Sequence, residues 1–151
     1  MELKSLEDTK KFSENICKII NKGDIIFLYG EIGVGKTTFV RNIINYLESK
    51  NKIKNSDVLS PTFNIVYDYN IGNLKILHYD LYRVKNYNDI VQLGMFENSR
   101  DSIKIIEWPD LIKQKPEDRI EILFKYSAKL DTREVNVRSF GKCKNYKVND
   151  I

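Results

Sequence analysis

The residues best suited to chemistry in this chain form a glycine-rich segment that ends in lysine and threonine. Residues 30–37 have the sequence GEIGVGKT, which matches the pattern G-x-x-x-x-G-K-[S/T] without a gap. Glycines leave backbone N–H groups bare, so that several amides can converge on one phosphate group. The ammonium of Lys36 can reach β- and γ-phosphate oxygens, and the hydroxyl of Thr37 is a ligand for Mg²⁺. The spacing therefore predicts binding of a nucleoside triphosphate together with its metal ion.

Two carboxylates follow apolar segments and are candidates for the same site. Asp80 follows the sequence LKILHY, and Glu107 follows IKII. The carboxyl ends of parallel strands meet at the ligand-binding edge of a sheet, so that either acid can complete the oxygen shell of Mg²⁺. The pattern does not decide which acid contacts the metal. A surface cap or a salt-bridge partner is the alternative reading for each.

Three further side chains stand near these acids in the sequence. His78 is the only histidine, and strand alternation places it on the same face as Asp80, where we predict a packed, hydrogen-bonded ring rather than a catalytic base. Trp108 directly follows the second acid and either packs in the core or contacts a nucleotide or a partner. Residues 60–63 read SPTF, and the proline would stiffen a turn that presents the hydroxyl of Thr62. In nucleotide switches such a hydroxyl reports whether the γ-phosphate and Mg²⁺ are present.

Strands and helices must position these residues, and the apolar pattern predicts where they lie. A capping pattern at Ser5 starts a helix that ends near Gly23. A second amphipathic helix follows the glycine segment as far as Leu47, and Asn88 is a candidate cap for a short third helix. Apolar runs predict strands at residues 25–29, 63–69, 74–80, 103–106, 120–124 and 135–138. This mixture predicts an α/β sheet with a parallel core and an antiparallel portion.

Composition limits the class of protein further. The chain has 151 residues, of which 42% are hydrophobic and 30% charged, as expected for one globular domain. No apolar stretch approaches the ~18–20 residues that span a membrane, and the polar first residues do not resemble a secretory signal. We therefore expect a cytoplasmic protein that does not contact a membrane. Its two cysteines fit no zinc site or disulfide scaffold.

The net charge of +4 arises wholly within residues 125–151, which contain 7 basic and 3 acidic side chains. We predict a single ATPase domain over residues 1–138 and a basic tail over residues 139–151. Such a tail either touches RNA or an acidic partner, or is a solvated chain end. Residues 21–24 read NKGD, the N-K-x-D string of guanine-binding proteins, but they precede the glycine motif instead of following it. We therefore predict ATP rather than GTP as the nucleotide.

Four segments, taken in order, resemble the TsaE family, also called YjeE. These small ATPases act in bacterial tRNA threonylcarbamoyladenosine synthesis. The segments are GEIGVGKTTF at residues 30–39, SPTF at 60–63, HYDLYR at 78–83 and IEWPD at 106–110. The family usually has glutamate where Asp110 stands, and little family signature follows Arg133. The resemblance implies a P-loop NTPase-like three-layer fold, with a mainly parallel sheet, an antiparallel portion and helices on both faces.

The resemblance also implies roles for individual residues. Asp80 would be the Walker B type acid needed for hydrolysis, and Thr62 would be the switch-like threonine. The expected catalytic residues are Lys36, Asp80 and Thr62. The expected metal-binding residues are Thr37 and Glu107, with Trp108 functionally important beside them. The expected nucleotide-binding residues are Gly33, Val34, Gly35, Lys36, Thr37, Thr38 and Arg133, and an adenine contact is expected near Thr9.

The partners that the resemblance implies are the proteins TsaD and TsaB, which modify adenosine beside the anticodon of certain tRNAs. Hydrolysis of ATP would support repeated turnover of that complex, and tRNA would be met only through it. The sequence offers no obvious arginine finger. Arg83 and an arginine from a partner are the candidates, so we expect weak hydrolysis without partners. A small-molecule kinase is one alternative, but such enzymes normally have an arginine-bearing lid, and Arg100 and Arg119 stand alone in segments without an obvious lid. A nucleotide-gated binding module that does not hydrolyse ATP is the other.

Overall fold

The computed structural model describes residues 1–97, 99–129 and 131–146, and a seven-stranded sheet runs through this part of the chain. In chain order the strands β1 to β7 are Glu2–Leu3, Ile25–Tyr29, Val66–Ile71, Leu74–Asp80, Ser102–Glu107, Arg119–Tyr126 and Arg133–Phe140. Their order across the sheet is β1-β7-β6-β2-β5-β4-β3. The central strands β6, β2, β5 and β4 are parallel, and the pairs at both edges are antiparallel. The predicted parallel core with an antiparallel portion is confirmed.

Helices lie on both faces of the sheet. They are α1 (Leu6–Ile19), α2 (Lys36–Lys50) and α3 (Tyr87–Gln92), with short 3₁₀ turns at Ser99–Asp101, Pro109–Leu111 and Gly141–Asn145. On one face α1 and α2 meet through Phe12 and Phe39, whose rings lie 5.2 Å apart, and both rings pack against Phe124 of β6. On the other face Ile90 of α3 packs in a second core with residues of β2, β4 and β5. Among the described residues, no helix combines the length and the apolar character needed to cross a membrane.

Strand β2 lies at the centre of the sheet and is covered on both sides. Ile26 and Leu28 belong to the core under α1 and α2, whereas Ile25 and Phe27 belong to the core under α3. A strand buried on both faces has no polar alternation, which explains the unbroken apolar run in the sequence. Because β2 leads directly into the glycine segment, a central strand that is buried on both faces fixes the position of that segment.

The predicted start of α1 is confirmed, and the predicted cap of α3 is wrong. The hydroxyl of Ser5 accepts a hydrogen bond from the backbone N–H of Asp8 at 3.1 Å, as a helix N-cap does. The cap of α3 is Asn86 rather than Asn88. Asn86 has an extended backbone, and its side chain accepts a hydrogen bond from the N–H of Asp89 at 3.0 Å. Asn88 lies inside the first turn, where its side chain does not cap the helix.

The strand predicted at residues 63–69 begins later, at Val66. Ile65 has a φ of 67°, a left-handed conformation that interrupts an extended strand. Its N–H donates a hydrogen bond of 2.6 Å to the carbonyl of Pro61, which closes a turn over residues 61–65. The apolar pattern of Phe63 and Ile65 therefore arises from a turn next to the site and not from the sheet.

The C-terminal region enters the sheet beyond the boundary drawn at residue 138. Strand β7 continues to Phe140, and Cys143 of the following 3₁₀ turn is completely buried. The hydroxyl of Tyr146 donates a hydrogen bond of 2.8 Å to the buried carboxylate of Asp24. The division into a domain and a tail stays a prediction, and residues 147–151 of that tail lie outside the described residues. The NKGD segment at residues 21–24 connects α1, which ends at Ile19, to β2, which begins at Ile25, and so lies at the end of β2 opposite to the glycine segment.

We expect Gly30→Ala to destabilise the fold strongly. Gly30 has a φ of 134°, and an added Cβ would press against the backbone carbonyl of Phe124 on β6. Backbone strain of ~1–3 kcal/mol and overpacking of a similar size should together lower the free energy of unfolding by about 3 kcal/mol or more. Gly35→Ala is the matched control, because Gly35 has a φ of 117° but no atom lies within 4 Å of an added Cβ. Denaturant unfolding of both variants measures the difference, and equal losses would contradict the steric argument.

Candidate phosphate-binding and metal site

The glycine segment connects the carboxyl end of β2 to the first residue of α2. Gly30, Gly33 and Gly35 have φ values of 134°, 74° and 117°, which other residues rarely adopt. The helix begins at Lys36, so that its free N–H groups and the positive end of its dipole face the segment. The segment borders a cavity of about 420 Å³, which Thr37 and Thr38 also line. The geometry is that of an anion-binding cradle.

The ammonium group of Lys36 lies folded into this cradle. Lys36 is only 4% exposed, and its Nζ donates hydrogen bonds to the carbonyls of Gly30 at 2.7 Å and Glu31 at 2.9 Å. The same nitrogen lies 3.9 Å from the centre of the Trp108 ring. Burial lowers the pKa of Lys36, and the nearby carboxylates of Glu107 and Asp80 oppose this shift. A phosphate group entering the cradle would offer the ammonium charged oxygens in place of neutral carbonyls.

The two predicted acids stand side by side. Asp80 is the last residue of β4 and Glu107 the last residue of β5, and they are direct register partners in the parallel pair. Both are nearly buried, with exposures of 3% and 2%. Their adjacency follows from equal strand ends in neighbouring parallel strands, which the sequence alone did not establish.

Each acid has its own hydrogen-bond donors. Glu107 accepts hydrogen bonds from the Thr37 hydroxyl at 2.9 and 3.2 Å, and its Oε1 lies 2.9 Å from Nε2 of His78. His78 is fully buried, so the prediction of a packed, hydrogen-bonded ring is confirmed. The acid predicted to lie at the metal thus already contacts the hydroxyl predicted to bind the metal.

Asp80 is bound to the SPTF turn. Its Oδ2 accepts hydrogen bonds from the hydroxyls of Ser60, at 2.7 Å, and Thr62. Its Oδ1 accepts the backbone N–H of Tyr82 at 3.0 Å. The turn at residues 61–65 therefore places the Thr62 hydroxyl in a direct hydrogen bond with the carboxylate at the end of β4.

Trp108 closes one side of the cavity in a strained conformation. Its φ of 57° and ψ of 53° are left-handed, and its N–H donates a hydrogen bond of 3.2 Å to the carbonyl of Leu28. The indole packs against the ring of Tyr82 at 4.9 Å and faces the ammonium of Lys36. Backbone strain of this kind concentrates at functional sites. The side chain also packs against the core under α3, so both readings of Trp108 fit its position, and its role at the cavity stays a prediction.

Arg133 lies in a neighbouring cavity rather than in the one between the acids. This second cavity, of about 330 Å³, lies between the start of α1 and the glycine segment, and Thr9, Gly33 and Thr38 line it as well. The guanidinium of Arg133 lies 4.6 Å from the centre of the Tyr126 ring. Val34 lies at the same cavity and is also part of the buried core. Arg133 and Thr9 are thus close to each other and to the cradle, although the chain separates them widely.

The donor set suits Mg²⁺ bound with phosphate better than a free metal ion. Within the part of the chain that the structure describes, no group of three or more His, Cys, Asp or Glu side chains could hold a metal. Two carboxylates and the Thr37 hydroxyl are hard oxygen donors, and Mg²⁺ typically takes its remaining ligands from phosphates and water. The residues therefore fit a metal that arrives with a nucleotide.

Two contributors to the site were missed in the sequence. Ser60 shares Oδ2 of Asp80 with Thr62, and the Tyr126 hydroxyl donates a hydrogen bond of 3.0 Å to the carbonyl of Ile32 in the glycine segment. A serine two residues before a switch-like threonine is a weak signal in an ordinary turn sequence. No local signal could identify Tyr126, because it reaches the segment only through the sheet.

The strand, glycine segment and helix, with two acids at neighbouring parallel strand ends, define a P-loop NTPase-like protein. Residues 3–135 match the family model described as "Threonylcarbamoyl adenosine biosynthesis protein TsaE", and the chain belongs to this family. The solved structure of Bacillus subtilis YdiB is similar, with a TM-score of 0.74 and 26% identity, over 99% of this chain and 90% of that one. The predicted family and fold class are confirmed.

Curated relatives carry the name "tRNA threonylcarbamoyladenosine biosynthesis protein TsaE". The protein from Rickettsia conorii is 40% identical over 111 residues, which cover 74% of this chain and 61% of that protein. Those from Rickettsia bellii and Bacillus subtilis are 37% and 31% identical, covering 82% and 89% of this chain and 83% and 82% of theirs. The matched region spans less than two thirds of the Rickettsia conorii and Rickettsia felis proteins, at 61% and 63% of their lengths.

Proposed function

We propose that this protein is a Mg²⁺-dependent ATP hydrolase that serves threonylcarbamoyladenosine modification of tRNA. Its hydrolysis would support turnover of a transferase formed by TsaD and TsaB, with tRNA met through that complex. The observation that carries the proposal is the contact between Thr37, at the start of α2, and Glu107, which stands beside Asp80. The proposal includes a cytoplasmic location, where tRNA is modified.

In the proposed reaction, water attacks the γ-phosphate of ATP held in the cradle. A bond forms between the water oxygen and the γ-phosphorus as the bond to the β–γ bridging oxygen breaks, ADP leaves, and the water proton is lost from the inorganic phosphate product to solvent. The bare amides of the glycine segment and the ammonium of Lys36 would bind the phosphates, with Thr37 and Glu107 holding the metal. Mg²⁺, when bound, would neutralise charge that develops on the phosphate oxygens. We assign to Asp80 the orientation of the attacking water, which requires the Thr62 and Ser60 hydroxyls to release its Oδ2.

The position of the arginines argues against the kinase alternative. Arg119 is the first residue of β6, and Arg100 precedes β5, so that both lie at the amino ends of the parallel strands. The glycine segment lies at the opposite, carboxyl ends. Arg83 does line the cavity of about 420 Å³ beside the glycine segment, which we call the phosphate cavity. Its guanidinium, however, lies 3.9 Å from the centre of the Phe63 ring rather than over the cradle. Arg83 could act as an arginine finger only if its guanidinium moved from the Phe63 ring to the cradle. This supports weak activity of the isolated protein.

Phosphate release with and without the partner proteins tests the proposed function. We expect slow release by the protein alone and a rise of roughly tenfold or more with TsaB and TsaD, because a completed charge constellation accelerates phosphoryl transfer strongly. Threonylcarbamoyladenosine formed per transferase, counted by mass spectrometry of tRNA, should exceed one only when ATP can be hydrolysed. Unchanged release together with multiple turnovers on a non-hydrolysable analogue would favour the binding-module alternative.

A further inference from the structure

The only histidine of the chain lies behind the acid predicted to hold the metal. His78 is fully buried on β4, and its Nε2 lies 2.9 Å from Oε1 of Glu107 on the neighbouring strand. Its other ring nitrogen, Nδ1, is buried and has no hydrogen-bond partner within the described part of the chain. A polar ring with one bonded nitrogen and one orphaned nitrogen requires an explanation.

The contacts of Glu107 fix which ring nitrogen carries the proton. The carboxylate is an acceptor, and it already receives the hydroxyl of Thr37, so the imidazole must donate to it from Nε2. A proton on Nδ1 would be a buried N–H without an acceptor, and if it were the only ring proton, Nε2 would have nothing to donate. The contacts are therefore satisfied by a ring that carries its donor proton on Nε2.

A rigid donor at this position restricts the glutamate. A glutamate side chain rotates freely about its last bonds, and a carboxylate with one partner can turn away from that partner. Here the buried ring binds one oxygen from behind, while the Thr37 hydroxyl approaches the same carboxylate from the start of α2. Outer partners that orient metal-binding side chains in this way contribute strongly to metal affinity.

We propose that His78 is a positioning residue that holds Glu107 toward Thr37 and so preorganises the site for a nucleotide-bound divalent cation. The proposal rests on the proposed function in one respect, namely that the cation arrives with the nucleotide. It is distinct from a general-base role, because the bonded nitrogen faces the acid and the ring does not line the phosphate cavity.

Nitrogen-15 NMR of the nucleotide-free protein tests the hydrogen bond without any assay of function. Because His78 is the only histidine, its two ring nitrogens give unambiguous signals. We expect a protonated Nε2 and an unprotonated Nδ1, and a shift of the Nε2 signal in Glu107→Gln. A ring protonated on Nδ1 and not on Nε2, or signals unmoved by Glu107→Gln, would overturn the proposal even if the protein bound no ATP.

Two substitutions separate positioning from simple packing. His78→Gln keeps a donor near the position of Nε2, whereas His78→Met keeps a similar volume without a donor. We expect His78→Gln to retain Mg²⁺ affinity in the presence of ADP within about threefold, and His78→Met to lose about 10–100-fold. Binding of ADP without Mg²⁺ should change little in either variant. Equal losses in both variants at equal thermal stability would assign the ring a packing role only.

Discussion

Replacing Lys36 with alanine is expected to remove most of the affinity of this protein for ATP. The ammonium now makes two hydrogen bonds to carbonyls of the glycine segment, which phosphate oxygens would replace with charged acceptors. Hydrogen bonds to charged groups contribute ~1.5–3 kcal/mol each, and each 1.4 kcal/mol is tenfold in affinity. Losing two such bonds predicts a decrease of about 100-fold or more, and hydrolysis should fall with it.

Calorimetric titration with MgATP measures this effect, and Lys50→Ala provides the control. Lys50 is the last residue of the same helix and is exposed, so its substitution removes one positive charge away from the cradle. We expect Lys50→Ala to bind ATP like the parent protein. An unchanged dissociation constant in Lys36→Ala would remove the basis for every phosphate-dependent proposal made here.

Lys36 also shows which features of the site can be predicted from neighbouring residues in the sequence and which cannot. The order of strand, glycine segment and helix follows from short-range signals: an apolar run, three glycines and an amphipathic period. Each of these signals depends only on residues that lie close together in the sequence, within one strand or a few helical turns. The contact of Lys36 with Trp108 does not, because it joins α2 to a residue 72 positions further along the chain, which only the sheet brings close.

The acids illustrate a second limit of the sequence. Their position at strand ends was predictable, because apolar runs stop directly before Asp80 and Glu107. Their adjacency depends on the pairing of β4 with β5 in one particular register. The hydrogen bond between His78 and Glu107 depends on the same register, so the sequence indicated a packed histidine without indicating its partner.

The strand at one edge of the sheet is formed by contacts between residues that are far apart in the sequence. Strand β1 has two residues and pairs with β7, while the N-terminal ammonium donates a hydrogen bond of 2.9 Å to the carbonyl of Val135. A two-residue strand has no periodicity that a sequence pattern can detect. Likewise, the cap of α3 is Asn86 rather than Asn88, and because both are asparagines, residue type does not distinguish them.

Replacing one carboxylate oxygen of Asp80 with an amide nitrogen, in Asp80→Asn, should slow ATP hydrolysis much more than it weakens ATP binding. We expect Asp80→Asn to slow phosphate release about 100-fold or more, because an amide no longer orients or accepts a proton from water as a carboxylate does. The affinity for MgATP should stay within a few-fold, since Thr37 and Glu107 remain in place. Single-turnover hydrolysis and equilibrium titration on the same preparation measure the two quantities.

A comparison with Glu107→Gln distinguishes a role of Asp80 in turnover from a role in Mg²⁺-dependent binding. Glu107 contacts the hydroxyl of Thr37, whereas Asp80 is bound to the Thr62 turn, so the two acids have different neighbours although they are register partners. Glu107→Gln should therefore weaken Mg²⁺-dependent binding first, and Asp80→Asn should weaken turnover first. Asp68→Asn, at an exposed salt bridge on β3, should change neither. Equal effects of the two acid substitutions on binding and turnover would mean that they act as one shared metal ligand set, and the separate role assigned to Asp80 would be wrong.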